Sequence, residues 1–167
     1  LGRLWGPPFW GDDSTLFLSA NRGKRSIVLD LKQPEGISVL RRLATSCDVF
    51  IQASRPAAAE RLGIDASSVH EWREDIVHLS LSAYGQDGPM SDQPGYDPLM
   101  QAYAGMISVT GEPNGGPTRV GGSVVDFGTG MWAALSVLAA LRERDRTGTG
   151  AALEASLMDT SLAWVSY

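Results

Sequence analysis

Asp126 is the residue in this sequence best placed to do chemistry. It stands in Val124-Val125-Asp126-Phe127-Gly128-Thr129-Gly130, directly ahead of an apolar run, Met131 to Leu141, in which only Ser136 is polar. That run predicts a helix buried on nearly every side, with alanines that allow close packing. A carboxylate at the entrance of such a helix lies beside unpaired backbone N–H groups and the positive end of the dipole, which favours its ionised form. It can cap the helix, since Asp is among the preferred caps, or it can act as a nucleophile. Gly128 and Gly130 add to the second reading. Inside a helix each costs up to roughly 1 kcal/mol relative to Ala, so a pair of them marks a place where a ligand approaches the backbone. At the far end Arg142, Arg144 and Arg146 suit the negative pole of the dipole, and Gly148 and Gly150 terminate the helix.

Other chemistries find less support. Gly128-Thr129-Gly130-Met131-Trp132-Ala133, with Glu154 downstream, has the G-x-G-x-x-A form of a dinucleotide-binding turn. That turn needs its first glycine directly after a strand, and here Asp126-Phe127 intervenes after Val125. His70 and His78 are isolated and give no metal-ligand spacing, so no metal site is expected. His78 lies within an apolar run and reads as a satisfied core or edge histidine. Fourteen Lys and Arg against 19 Asp and Glu leave a net charge of −5, which offers no global field for nucleic acid. The single cysteine, Cys47, excludes an intramolecular disulfide and makes a reducing, cytoplasmic setting the default. No uninterrupted apolar run reaches the roughly 18 residues of a membrane span, so no membrane partner is expected. The chain opens without Met and stops inside an apolar stretch, and we therefore expect a segment of something longer.

The elements that must position Asp126 follow from periodicity, at a length and a 43% hydrophobic content suited to one domain. Leu1 to Asp13, rich in Gly, Pro and aromatics, predicts an ordered arm, with Trp5 and Trp10 filling gaps in a core. A short helix over Leu16 to Ser19 leads into the cationic turn Asn21-Arg22-Gly23-Lys24-Arg25. The β-branched run Ser26 to Leu31 predicts a buried strand, and a helix follows from Pro34. Strands are expected at Asp48 to Gln52 and Asp75 to Ser82, with helices between them that end near Gly63 and Arg73. Pro94-Gly95-Tyr96-Asp97-Pro98 opens a helix that packs through Leu99, Met100, Tyr103 and Met106. Thr110 to Pro117 is a glycine-rich loop, Ala151 to Ser156 a strand, and the last residues a helix. Strands alternating with helices argue for an α/β, Rossmann-like parallel sheet flanked by helices.

Several strings, in order and at matching spacing, resemble one family, the family III CoA-transferases of the CaiB/BaiF group, which includes formyl-CoA transferase. They are Asn21-Arg22-Gly23-Lys24-Arg25-Ser26 with Leu29-Asp30-Leu31-Lys32; Ser54-Arg55-Pro56 with Glu60-Arg61-Leu62-Gly63; Tyr84-Gly85-Gln86-Asp87-Gly88-Pro89; Pro94-Gly95-Tyr96-Asp97; Val109-Thr110-Gly111-Glu112-Pro113; and Arg146-Thr147-Gly148-Thr149-Gly150. The resemblance implies that residues 1–167 are part of the family's large domain, without its first strand and helix and without its small domain. It implies that Asp126 is a nucleophile that moves CoA between an acyl-CoA and a carboxylic acid through a covalent aspartyl intermediate, with no ATP and no permanently bound cofactor. Coenzyme A is then a cosubstrate. Its nucleotide is bordered by Leu29, Asp30, Leu31, Lys32, Ala53, Ser54 and Arg55, with Arg61 on phosphate and Tyr96 lining the channel near the thioester. Backbone N–H groups near Gly128 and Gly130 would hold the oxyanion. The family's pattern has Asn-Phe where this chain has Ala53-Ser54, which alters an adenine-side contact. The family also contains acyl-CoA racemases, whose proton-transfer His is replaced here by Tyr96, a poor base at an ordinary tyrosine pKa near 10. Transfer is the better reading. A non-catalytic CoA-binding module is the rival from another class. Members of the family are interlocked homodimers, which is the implied assembly.

Overall fold

In the computed structural model, which describes residues 2–166, the chain divides after Asp30 into two compact units. Leu1 and Tyr167, the outer ends of the expected arm and terminal helix, lie outside the described residues. In the first unit β1 (Phe9–Trp10) and β2 (Asp13–Ser14) pair antiparallel around Gly11, which takes φ 60°. Ser14 is buried and caps α1 (Thr15–Ala20): its hydroxyl accepts from Phe17 N at 3.1 Å and donates to the Gly2 carbonyl at 3.1 Å. Arg3 pairs with Asp13 at 2.8 Å and stacks 4.2 Å over the Phe17 ring.

Two expectations for this region are corrected. Trp5 and Trp10 are exposed, 71% and 80%, because two strands of two residues each supply no second layer to cover them. Residues 26–31 form no ladder among the described residues, and Val28 is 93% exposed. A β-branched run becomes a strand only where a neighbouring edge takes its hydrogen bonds. The preceding cations fare as a solvated turn: Gly23 has φ 75°, Lys24 N bonds Asn21 O at 3.2 Å, and Arg22, Lys24 and Arg25 are exposed.

The second unit contains the α/β core. After α2 (Pro34–Ala44) come β3 (Val49–Gln52), α3 (Pro56–Leu62), α4 (Ala66–Trp72) and β4 (Val77–Ser82). Then follow α5 (Asp97–Tyr103), α6 (Val124–Thr147), β5 (Ala151–Ser156) and α7 (Leu157–Val165). The sheet has three strands in the order β3-β4-β5, all parallel, with Val49 beside Val77 and Val77 beside Ala151. Its middle strand is the most deeply buried, from Val77 to Ser80. Gly63 closes α3 at φ 65° and Gly148 closes α6 at φ 76°, conformations that L side chains resist. Asp65 caps α4; burial pushes its carboxyl up, but hydrogen bonds from Ser67 and Ser68 outweigh that and hold it at about 2.

His78 is a core histidine, as its apolar strand predicts, but only half satisfied, because its buried Nδ1 has no hydrogen-bond partner among the described residues. It is fully buried, stacked on Phe50 at 5.6 Å, and donates from Nε2 to the Ile64 carbonyl at 3.1 Å. Met100 and Met106 join Val125 in a buried cluster with Leu99 against it, whereas Tyr103 is exposed and meets Tyr84 edge-on.

Helix α6 departs furthest from expectation. It packs on β4, β5, α5 and α7, yet only Val125, Gly128, Thr129 and Ala133 are buried. Phe127, Met131, Trp132, Leu135 and Leu138 face outward, at least half exposed. A three-stranded sheet is too narrow to enclose a helix that is apolar all round. At 24 residues α6 is also long and apolar enough to cross a bilayer, contrary to the sequence expectation; core helices of soluble proteins meet that criterion of length and composition too.

Candidate active site

Asp126 occupies the third position of α6, two residues beyond Val124 where the helix begins. The capping reading of Asp126 fails, because another residue does that work. Asp97, buried at the head of α5, places Oδ2 2.7 Å from Val125 N and 3.1 Å from Asp126 N, accepting from both. Ser123, which stands at the N-cap position, makes no side-chain cap bond. The Asp126 carboxyl is thus left for something else.

Its ionisation runs opposite to expectation. Loss of hydration in the partly enclosed site raises the Asp126 pKa above the ordinary carboxylate value, and the neighbouring Asp97 charge raises it further. The helix N-terminus does not reverse this, since two of its first-turn donors, Val125 N and Asp126 N, are committed to Asp97. The residue itself remains exposed at the mouth of a cleft of about 300 Å³. The cleft forms at the C-terminal edge of the sheet, from Ala53 after β3, Leu81 to Ala83 at the end of β4, Leu157 after β5, Gly95, and Asp126, Thr129 and Gly130 of α6. Ligands of open parallel sheets bind at this edge.

The two glycines separate in role. Both lie within α6, so their N–H groups belong to the helical ladder and are not freed for an oxyanion, which corrects the sequence expectation. Gly128 is packed against α7: a Cβ there would stand 2.7 Å from Trp164 Nε1 and 3.0 Å from Thr160 Cγ2. The close approach it permits is by a helix. A Cβ on Gly130 meets nothing within 4 Å, and that residue does border the cleft. The dinucleotide-turn reading also falls, because the glycine string sits inside a helix with no strand ahead of it.

The residues expected around CoA fall into separate places. Leu31, Lys32 and Arg61 line a cavity of about 590 Å³ with Gln33, Pro34, Ile37 and Leu62. Ala53 belongs to the Asp126 cleft. Ser54 N donates to Gln52 Oε1 at 2.6 Å, and Gln52 in turn bonds Ser80, so the turn after β3 is anchored to the sheet. Arg55 is exposed and reaches the Asp92 carbonyl at 3.3 Å, while Asp92 Oδ1 accepts from Ala57 N. Tyr96 is the N-cap residue of α5, exposed, directly after cleft-lining Gly95. Leu29 and Asp30 belong to the first unit. Sequence reasoning missed Asp97 and Gln101 as parts of the site. Their spacing of four on one helix, next to an expected site tyrosine, was the available signal.

Comparison with known proteins bears on the family and the fold. The sequence pattern of CoA-transferase family III matches residues 1–167. A human succinyl-CoA:glutarate CoA-transferase is 36% identical over 99% of this chain and 38% of its own length. An acetyl-CoA:oxalate CoA-transferase of Acetobacter aceti is 37% identical over 99% of this chain and 42% of its own. The crystal structure of a CAIB/BAIF family protein from Brucella suis superposes with a TM-score of 0.90 at 32% identity, covering 97% of this chain and 44% of that one. The chain therefore spans about two fifths of the length of the relatives it matches. With its parallel sheet, its ordered motif strings and a pattern match from end to end, the chain belongs to CoA-transferase family III.

Proposed function

We propose that the protein to which this chain belongs transfers CoA from an acyl-CoA to a free carboxylic acid, with Asp126 as the nucleophile. One observation carries the reading: Asp126 faces a cleft at the sheet's C-terminal edge, and Asp97 relieves it of the capping duty its position would otherwise impose. In the first step an Asp126 oxygen attacks the thioester carbonyl, a C–O bond forms, the C–S bond breaks, and CoA leaves as thiolate. The thiolate then attacks the aspartyl carbonyl of the mixed anhydride, releases the donor acid as carboxylate, and leaves an aspartyl thioester. The acceptor carboxylate reverses these steps with its own acyl group and regenerates Asp126. Because thioester energy is conserved in the intermediate, ATP is not needed. The larger cavity supports the nucleotide half of the reading, since Lys32 and Arg61 bring cations to one wall and guanidinium suits phosphate oxygens.

The named relatives pair succinyl-CoA with glutarate and acetyl-CoA with oxalate, so short dicarboxylic acids are the first acceptors to screen. The outward apolar face of α6 supports a second copy of the chain as its cover in a homodimer. Cytoplasmic residence rests on the lone cysteine, and cell fractionation tests it. The decisive experiment is incubation of the full-length protein with succinyl-CoA, trapping with hydroxylamine, and peptide mass analysis. Modification at Asp126 is expected, and Asp126→Asn should lose both the label and CoA exchange while binding CoA with little change. Turnover retained in that variant would falsify the assignment.

A further inference from the structure

We infer that Asp97 and Gln101 form a one-way hydrogen-bond brace that positions Asp126, and that the donor-to-acceptor order of the brace, not merely its polarity, holds the first turn of α6. Its catalytic readout rests on the proposed nucleophilic role of Asp126; its structural readout does not. Both side chains are buried, 1% and 0% exposed, four residues apart on α5. Val120 N donates to Gln101 Oε1 at 2.9 Å, which fixes the amide so that its Nε2 donates to Asp97 Oδ1 at 2.6 Å. Asp97 Oδ2 receives Val125 N and Asp126 N. These four bonds run toward the carboxylate, and a longer one, from Gln101 Nε2 to the Gly122 carbonyl at 3.4 Å, leaves the line. The brace also spans Gly121 and Gly122, a pair with no side chain to fix its own path, and grips the backbone on both sides of it at Val120 and Val125. Asp97 and Gln101 act through the backbone, as positioning residues.

This order is broken by Asp97→Asn, and by Gln101→Glu wherever the new carboxyl is ionised, since a protonated one donates to Asp97 as the amide did. In Asp97→Asn one amide face must turn its NH2 either to the helix N–H groups or to the Gln101 NH2, so donors meet donors. In Gln101→Glu two carboxylates meet at the 2.6 Å contact. Made together, the changes restore the sequence of donors and acceptors. The new amide accepts from Val125 and Asp126 and donates to the new carboxylate, which accepts from Val120. Only the long 3.4 Å contact from Gln101 Nε2 to the Gly122 carbonyl is lost.

The test is a double-mutant cycle in the full-length protein with two readouts: the rate of Asp126 labelling by succinyl-CoA, and amide hydrogen exchange over residues 123–128. Each single variant should label at least about 30-fold more slowly than the parent, as a misplaced reacting group does. Each should also lose exchange protection there, with CoA affinity changed less than about threefold by the same positional argument. The double variant should label within about tenfold of the parent and regain protection. A folded double variant that labels no faster than the singles and stays unprotected overturns the inference, as does one that fails to fold, or single variants that behave like the parent. If the parent itself is not labelled at Asp126, the proposed function fails, and the exchange arm still decides the brace.

Discussion

A carboxylate whose ionisation is opposed by its surroundings stores a cost in the folded protein. Asp126 is raised by desolvation and by the Asp97 charge, so its charged form disfavours the native state relative to the unfolded chain. The sign follows: this unfavourable contribution is absent below the ordinary carboxylate value of 3.8 and grows as pH rises through the folded pKa above it. Asp126→Asn should therefore raise Tm slightly near neutral pH, and the gain should vanish in thermal melts below pH 4. A lower Tm at pH 7 would contradict the environment described for this side chain. His78 titrates in the opposite sense. Burial lowers its pKa from 6.5, so protons bind the unfolded chain preferentially. Stability should fall as pH drops below 6.5, until His78 itself protonates in the folded protein. Denaturant unfolding should show this slope in the parent and a shallower one in His78→Phe, which keeps a ring against Phe50.

Helix α6 packs on β4, β5, α5 and α7, and its close approach to α7 runs through Gly128. Gly128→Ala gains up to about 1 kcal/mol of helix propensity but drives a methyl into Trp164 and Thr160, and overpacking of about 1–3 kcal/mol should win. Gly130→Ala meets nothing within 4 Å and should stabilise by up to about 1 kcal/mol. Urea midpoints that move in opposite directions would bear this out. Chemically alike in sequence, the two glycines differ only by which side of α6 faces α7. That difference shows what sequence can carry. Parallel strand pairing, helix ends at Gly63 and Gly148, and the core position of His78 follow from local pattern, because caps and buried strands are written in neighbouring residues. The partner that takes over capping from Asp126 could not be read, since Asp97 is 29 residues away. The run 26–31 misleads for a related reason: β-branching favours a strand but does not supply the edge it must join.

Two of the openings in the second unit differ in lining, a basic and apolar cavity of about 590 Å³ and a smaller cleft of about 300 Å³ at Asp126. The segment after β3 contributes to both, Ala53 to the cleft and Arg61 with Leu62 to the cavity. If the larger opening takes the phosphates of CoA, Arg61→Ala should raise KM for succinyl-CoA roughly tenfold or more with kcat largely kept, and the defect should shrink at high salt. Asp126→Asn should do the reverse in the same assays. A fall in kcat for Arg61→Ala at unchanged KM would place Arg61 with the reacting groups instead. The outward apolar residues of α6 belong to this level as well. Removing three of them, as Met131→Ser, Leu135→Ser and Leu138→Ser, should halve the particle mass in sedimentation if a second copy covers them.

The lining of the cleft at Asp126 includes four small residues, Ala53, Ala83, Gly95 and Gly130, none of which belongs to a strand. Selection can therefore enlarge or narrow that lining one side chain at a time without disturbing the ladder beneath. A lineage built on this sheet can drift from one ligand to another while the carboxyl of Asp126 stays where it is.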